Sequence, residues 1–439
     1  MRGEPGESWV RRSGPSSPSA FHKNDSTTIG INRPLGIGAQ MRPADRIRGA
    51  KDRKLEGKTI VLGVTGSIAA VESVKLAREL LRHGAEVHPV LSGAATGIVH
   101  PNALEFATGR PAITKLDGSM HYLEMCGAGG KANLLLIAPC TSNTISKVAN
   151  GIDDTTVTTY AMNALGAGIP VLIAPAAHET MMDNPIVMMN VRRLRDLGVE
   201  FVEPKREEDK AKMADVEAIV ARVLRRLGPR DLEGKRVLVI AGATVEPIDD
   251  VRVVTNRSTG GTGLELAKAA YERGGDVELW LGRHEVDVPP WLPTRGFVTA
   301  SELSKMAEDA EADVCLVPAA VADFAPKKRK GKVPSRGGPL DIRLEPTPKV
   351  LRLLRKNAKV LVGFKAEHGV RAEELKKRSM ALLKETALDF VVANDMAQVK
   401  GTATVVTVFD ARGRAATFDG PKALVADRVW SAVLHGLPG

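Results

Sequence analysis

A chain of 439 residues with 43% hydrophobic and 26% charged side chains has enough apolar surface for two or three cores and too much for a disordered polymer. Its longest apolar stretch, residues 164–177, is shorter than the ~20 residues of a bilayer span and contains Pro170 and Pro175; its three cysteines, Cys126, Cys140 and Cys315, cannot form a disulfide scaffold and fit a reducing, cytoplasmic setting. The net charge of +10 is no nucleic-acid stripe, because residues 1–55 hold 11 Lys+Arg against 5 Asp+Glu, leaving a surplus of four for the rest, and aromatics are only 4%.

Residues 1–50, rich in Gly, Pro, Ser and Arg without helical or strand period, read as a disordered basic extension. From Lys58 the pattern alternates: strand 58–64, helix 68–83, strand 85–91, strand 133–138, strand 169–174 and a helix through Arg195. Short apolar runs between periodic helices indicate parallel strands with crossovers. A helix over 211–227 ends at Gly228-Pro229, a stop and a linker. The pattern then restarts, with Leu232-Glu233-Gly234-Lys235 repeating Leu55-Glu56-Gly57-Lys58. Strands 236–240, 276–281, 314–317, 359–363 and 390–393 come next, with helices between them. The expected fold is α/β, two tandem Rossmann-like doubly wound domains over 55–228 and 232–439, whose ligands bind beyond the carboxyl ends of the strands.

The segments at the carboxyl ends of the strands therefore carry the functional information. After the first strand comes Gly63-Val64-Thr65-Gly66-Ser67-Ile68-Ala69-Ala70, where backbone N–H groups and the Thr65 and Ser67 hydroxyls can hold a phosphate. It is not G-x-G-x-x-G, so a plain dinucleotide site is disfavoured, and a tight turn capped by Ser67 explains it equally. The strand at 133–138 leads to Pro139-Cys140-Thr141-Ser142-Asn143-Thr144, and that at 169–174 to Pro175-Ala176-Ala177-His178-Glu179-Thr180-Met181-Met182. His121 stands at an expected helix start in Met120-His121-Tyr122-Leu123-Glu124. In the second half, Asn256-Arg257-Ser258-Thr259-Gly260-Gly261 precedes a helix with Arg252 close by, which suits a phosphate-rich ligand or a capped flexible loop. Lys327-Lys328-Arg329-Lys330-Gly331-Lys332 is a solvated face or a loop that clamps a triphosphate.

The first set of motifs resembles the flavin-dependent decarboxylases of 4′-phosphopantothenoylcysteine, with a flavodoxin-like fold, over residues 57 to about 215. The resemblance implies FMN as electron acceptor for the substrate thiol, then loss of carbon dioxide from the resulting thioaldehyde. It implies FMN contacts at Gly66, Ser67, Ile68, Ser92, Thr141, Ser142 and Asn143, and proton transfer by His121. The family's P-x-M-N-x-x-M motif carries Ala177 and His178 here, so His178 takes the place of an Asn that binds the substrate carboxylate. The family's flap cysteine is absent, and Lys210 or Lys212 is the candidate to close over the site.

The second set, over 232 to about 435, is similar to phosphopantothenate–cysteine ligases, which the family often fuses behind the decarboxylase. It implies activation of 4′-phosphopantothenate by CTP (or ATP) with Mg²⁺ and attack of the cysteine amine on the acyl-nucleotide. Asn256 falls at the acyl centre, Lys330 and Lys332 in the lysine loop, and Ser258, Gly260, Ala319, Asp323 and Phe364 near the nucleotide. The resemblance also implies a homo-oligomer with trimeric decarboxylase and dimeric ligase contacts, a dodecamer where both are satisfied, without membrane or nucleic-acid partners.

Overall fold

The protein is described from a computed structural model covering residues 42–207, 210–334, 340–398 and 403–437. Residues 1–41 of the expected extension lie outside these, but its last part is ordered: Pro43–Ile47 form a short helix with Ala44 fully buried, and the Arg42 guanidinium donates to the Gly109 carbonyl.

The first half is built on strands β1 (Thr59–Val64), β2 (Glu86–Leu91), β3 (Leu134–Cys140), β4 (Val171–Pro175), the two-residue β5 (Ala177–His178) and β6 (Glu200–Phe201), with β7 (Lys205–Glu207) and β8 (Lys210–Lys212) after them. The main sheet has the order β2-β1-β3-β4-β6, all parallel. That is the flavodoxin-like order, with a switch point between β1 and β3. Every residue of β3 is buried, as its apolar run requires when helices cover both faces of a parallel sheet. One face packs helices Ser73–Arg82, Pro101–Thr108 and Val216–Leu227; the other packs His121–Cys126, Ser142–Ala149, Thr156–Gly166 and Pro185–Asp196. Helix Ser73–Arg82 buries Leu76, Ala77, Leu80 and Leu81, the rows of a 3.6-residue period.

The second half holds β9 (Arg236–Ala241), β10 (Val245–Pro247), β11 (Val253–Thr255), β12 (Asp276–Leu281), β13 (Thr294–Gly296), β14 (Ala312–Val317), β15 (Phe324–Pro326), β16 (Leu344–Pro346), β17 (Ala358–Glu367), β18 (Phe390–Asp395), β19 (Ala403–Asp410) and β20 (Ala415–Pro421). Its sheet runs β13-β12-β9-β14-β17-β18-β19-β20. The first six strands are parallel in the Rossmann 3-2-1-4-5-6 order, with the switch point between β9 and β14; β19 and β20 continue it antiparallel.

The repeated Leu-Glu-Gly-Lys is a structural plug. Leu55 and Leu232 are both fully buried, Gly57 and Gly234 both take a φ near +70° (73° and 71°), and the Lys58 and Lys235 N–H groups each return to the leucine carbonyl at 3.0 Å. Leu→Ala at either site should cost about 2–5 kcal/mol. The two halves meet where Arg225, on helix Val216–Leu227, donates to the carbonyls of Tyr271, Gly274 and Gly275 and stacks over the Tyr271 ring. Lys54 pairs with Glu272 beside it.

The helix expected from 211 begins later, at Val216, because Lys210–Lys212 is a strand pairing antiparallel with β5 and β7.

Candidate functional sites at two switch points

In the first half, the loops leaving β1 and β3 converge as the topology demands. An open cavity of about 1210 Å³ lies there, lined by Gly66, Ser67, Ile68, Thr141, Ser142 and His178 among others. Six residues expected from the sequence thus share one site. Lys212, Met181, the last residue of the P-x-M-N-x-x-M motif, and Lys75 join them; Lys75 was not legible as a site residue. Gly66 is required by packing, since a Cβ there would fall 2.5 Å from Ala94 Cβ. Ser67 caps the short 3₁₀ turn Ile68–Glu72 by accepting from Ala69 N, and Thr141 caps helix Ser142–Ala149 by accepting from Thr144 N.

Thr65 does not reach a ligand, contrary to expectation. Its hydroxyl is buried, donates to the Pro139 carbonyl at 2.9 Å and accepts the Thr141 N–H at 3.0 Å, so it is spent joining the two loops. Ser92 is buried as the cap of residues 93–96, and Asn143 is exposed; neither lines the cavity. Cys140 is fully buried, with its thiol pushed upward by that burial, a small hydrophobe rather than a redox group.

The cavity has two characters. Ser67, Thr141 and Ser142 make a polar wall, while Ile68, 77% exposed, Val71 and Met181 present apolar side chains. A large apolar residue left this open at a cavity lip is a surface for a flat ring, so the residues fit a group with a polar tail and an aromatic head.

His121 is not in this cavity. It begins the helix His121–Cys126, on the sheet face that also packs Ser142–Ala149 and opposite to helices Ser73–Arg82 and Val216–Leu227, which line the other side of the site. There its Nδ1 lies 2.7 Å from the Tyr160 hydroxyl. The His88 ring is 5.9 Å away, and Glu86 binds both His88 Nε2 at 2.8 Å and Arg110 at 2.6 Å. Burial, partly offset by Glu86, holds His88 below the ordinary histidine range. No local pattern announces Tyr160, which is 39 residues further along the chain.

At the second switch point, Thr244 repeats the part of Thr65: its Oγ1 accepts the Ala322 N–H at 3.0 Å and its N–H donates to the Ala320 carbonyl at 3.2 Å. Asn256, just past β11, donates from Nδ2 to the same carbonyl at 3.2 Å. Ala319 and Asp323 lie in the loop that leaves β14, with the Asp323 carboxylate accepting from Lys349 Nζ at 2.6 Å. Ser258 accepts from Gly260 N at 3.5 Å ahead of helix Gly261–Glu272. Phe364 is half-buried on β17, one residue past that strand's last pairing with β14.

Lys330 and Lys332 are exposed on a loop whose backbone is pinned to the β10–β11 turn. The Asp250 carboxylate accepts from Gly331 N at 2.7 Å and Lys328 at 2.8 Å; the Asp249 carboxylate accepts from Val333 N at 3.0 Å. The backbone N–H groups of Arg252 and Val333, against an opposing effect of burial, hold Asp249 well below the usual carboxylate range. Arg252, expected to face a phosphate, instead bridges Asp249 and the Val333 carbonyl, both at 3.0 Å. It shapes the loop, on which Lys330 and Lys332 stay exposed. Among the described residues no group of three or more His, Cys, Asp or Glu side chains is placed to hold a metal ion.

A flavodoxin-like sheet with a ring-sized cavity, followed by a Rossmann-type sheet with an asparagine and a lysine loop at its switch point, defines a two-site α/β enzyme of the flavoprotein class. Residues 48–228 match the Flavoprotein family, and residues 232–437 match the DNA/pantothenate metabolism flavoprotein C-terminal domain. The chain is 48% identical over 360 residues to the coenzyme A biosynthesis bifunctional protein CoaBC of Thermococcus kodakarensis, covering 80% of this chain and 88% of that one. It is 36% identical over 368 residues to the protein of the same name from Methanocaldococcus jannaschii, covering 82% and 89%. Among solved structures, the C-terminal domain of a CoaBC protein is 29% identical and covers 47% of this chain and 97% of that domain, with a TM-score of 0.39. The chain belongs to the bifunctional coenzyme A biosynthesis family, whose enzymes join phosphopantothenoylcysteine decarboxylase to phosphopantothenate–cysteine ligase.

Proposed function

We propose that the second domain (232–439) ligates cysteine to 4′-phosphopantothenate through an acyl-nucleotide formed from CTP or ATP, and that the first (55–228) decarboxylates the product to 4′-phosphopantetheine. The observation that supports this reading is that the loops at each switch point carry the residue types its reaction would need: a polar-and-apolar cavity lined in part by His178, and, in the second half, a carboxamide at Asn256 and an exposed lysine loop.

In the ligase half, Asn256 is held by the Ala320 carbonyl so that its amide faces the carboxylate being activated. Lys330 and Lys332 neutralise charge on the departing diphosphate. Ser258, Gly260, Ala319, Asp323 and Phe364 seat the nucleotide, and no protein nucleophile is needed because positioning does the work. The described residues do not form a metal cage; Mg²⁺ would be carried on the triphosphate, as is usual for this ion.

In the decarboxylase half, Gly66, Ser67, Ile68, Thr141 and Ser142 would hold FMN, with Ser92 and Asn143 supporting the same loops. FMN supplies two-electron redox chemistry when bound. His178 donates a hydrogen bond to the substrate carboxylate, and the strand Lys210–Lys212, paired with β5, covers it. His121 lies off this cavity in its own chain, so we infer that a neighbouring copy supplies it, and that the enzyme works as a homo-oligomer with sites completed between subunits.

The test is the purified full chain. It should be yellow, release FMN on denaturation and evolve carbon dioxide from 4′-phosphopantothenoylcysteine. A colourless protein that refuses added FMN while ligating normally would instead make the first domain a binding module without chemistry.

A further inference from the structure

Tyr160 is fully buried in helix Thr156–Gly166, yet it carries a hydroxyl. Among the described residues, the only hydrogen-bond partner of that hydroxyl is His121 Nδ1, at 2.7 Å. Burial first of all, then the negative charges it would face at Cys126, Asp117 and Glu124, push its ionisation far above the ordinary phenol range, so it keeps its proton. A buried O–H with one partner must donate to it, because leaving the donor unpaired costs about 1–3 kcal/mol. A neutral imidazole that accepts at Nδ1 carries its own proton on Nε2.

We propose that Tyr160 is a positioning residue that fixes His121 in the Nε2–H tautomer, so that the histidine meets the substrate as a hydrogen-bond donor to an anionic group and not as a base offering a lone pair. This deepens, and rests on, the reading of His121 as a decarboxylase residue. The surrounding groups are consistent with it. His88, on β2, is tied to Glu86, and its burial, partly offset by Glu86, favours its neutral form. Arg110 is paired with Glu86, Glu124 with Lys131, and Asp117 with the Ser119 hydroxyl and N–H. The Cys126 thiol, pushed up to about 12 by burial, stays protonated. Among the described residues Tyr160 is thus the one neighbour hydrogen-bonded to the ring, and it sets which nitrogen holds the proton.

The experiment uses the flavin-loaded full chain with ¹⁵N-labelled histidine, assigning the His121 resonances by their loss in His121→Asn. Two-bond nitrogen–proton couplings should report the Nε2–H form in the unmodified enzyme, a result that needs no variant to fold. Tyr160→Phe should raise the Nδ1–H fraction, lower kcat for carbon dioxide release by roughly tenfold or more, equivalent to about 1.4 kcal/mol, and move the pH profile, while ligation is unchanged and certifies the fold. A predominantly Nδ1–H form in the unmodified enzyme overturns the proposal. So does a Tyr160→Phe enzyme with unaltered tautomer, rate and pH profile. If His121→Asn itself leaves decarboxylation intact, the catalytic reading of His121 falls, and the tautomer measurement separates that failure from this one.

Discussion

Thr65 and Thr244 make the same stitch in the two halves of the molecule: each lies in the loop that leaves the first strand of its sheet, and each hydroxyl accepts a backbone N–H from the loop across the switch point, Thr141 and Ala322 respectively, at 3.0 Å. A parallel sheet splays at its switch point, which opens the crevice a ligand enters. A buried hydroxyl that binds both loops fixes the width of that crevice.

Thr65→Val keeps the shape and removes that hydroxyl, leaving the Thr141 N–H and the Pro139 carbonyl without it. Unfolding in denaturant should show a loss of about 1–3 kcal/mol in the first half, with weaker flavin retention and unaltered ligation. Thr244→Val should reverse the pattern. Equal loss of both activities in either variant would mean that the halves are not independently built.

The three cysteines should take no part in either proposed reaction. Cys126 and Cys315 are buried with their thiols pushed up to about 12, and Cys140 is buried and raised as well. At pH 8 almost no thiolate exists to attack a disulfide reagent. The folded protein should stay unlabelled and active over the minutes in which the unfolded chain releases three equivalents. Rapid inactivation by labelling would place a reactive thiol in a site.

The lysine loop should loosen in acid. A carboxylate depressed in the folded state, as Asp249 is by the N–H groups of Arg252 and Val333, contributes its full stabilisation above the ordinary aspartate value near ~3.9 and loses it as pH falls from there through the lower folded value. Hydrogen exchange in residues 327–333, corrected for intrinsic rate, should be unchanged from pH 8 to 5 and rise below about 4. Asp249→Asn should raise it at pH 7 and weaken ligation, mainly through the nucleotide KM. Unchanged protection in that variant would remove Asp249 as the anchor.

Two substitutions should separate the chemistries. His121→Asn is expected to abolish carbon dioxide release and leave ligation intact; Asn256→Asp is expected to stop acyl-nucleotide formation while added 4′-phosphopantothenoylcysteine is still decarboxylated. Loss of both activities in His121→Asn, or normal acyl-nucleotide in Asn256→Asp, would undo the respective assignment.

The parallel strands were legible because their apolar runs are buried on both faces, the turns at Gly66 and Thr141 because they come just after those strands, and Asn256 because it opens a hydroxyl and glycine run ahead of a helix. Other features escaped for identifiable reasons. Lys210–Lys212 sits in a charge run that reads as helix, and only its pairing with β5 and β7 makes it a strand. Strands β19 and β20 alternate in burial along their length, a period that the search for fully buried parallel strands passes over. Thr65 and Arg252 looked like ligand contacts because the sequence shows their chemistry without showing who has already claimed it. Tyr160 reaches His121 across two helices, a proximity only tertiary structure creates.

The most direct test of the paired switch points is a time course on the flavin-loaded full chain, given 4′-phosphopantothenate, cysteine, Mg²⁺ and either CTP or ATP, with products followed by mass spectrometry. Phosphopantothenoylcysteine should rise first and then give way to phosphopantetheine, and in His121→Asn it should accumulate without decay. If neither nucleotide yields the ligated product, or if it persists in the unsubstituted enzyme, the two-site account is contradicted.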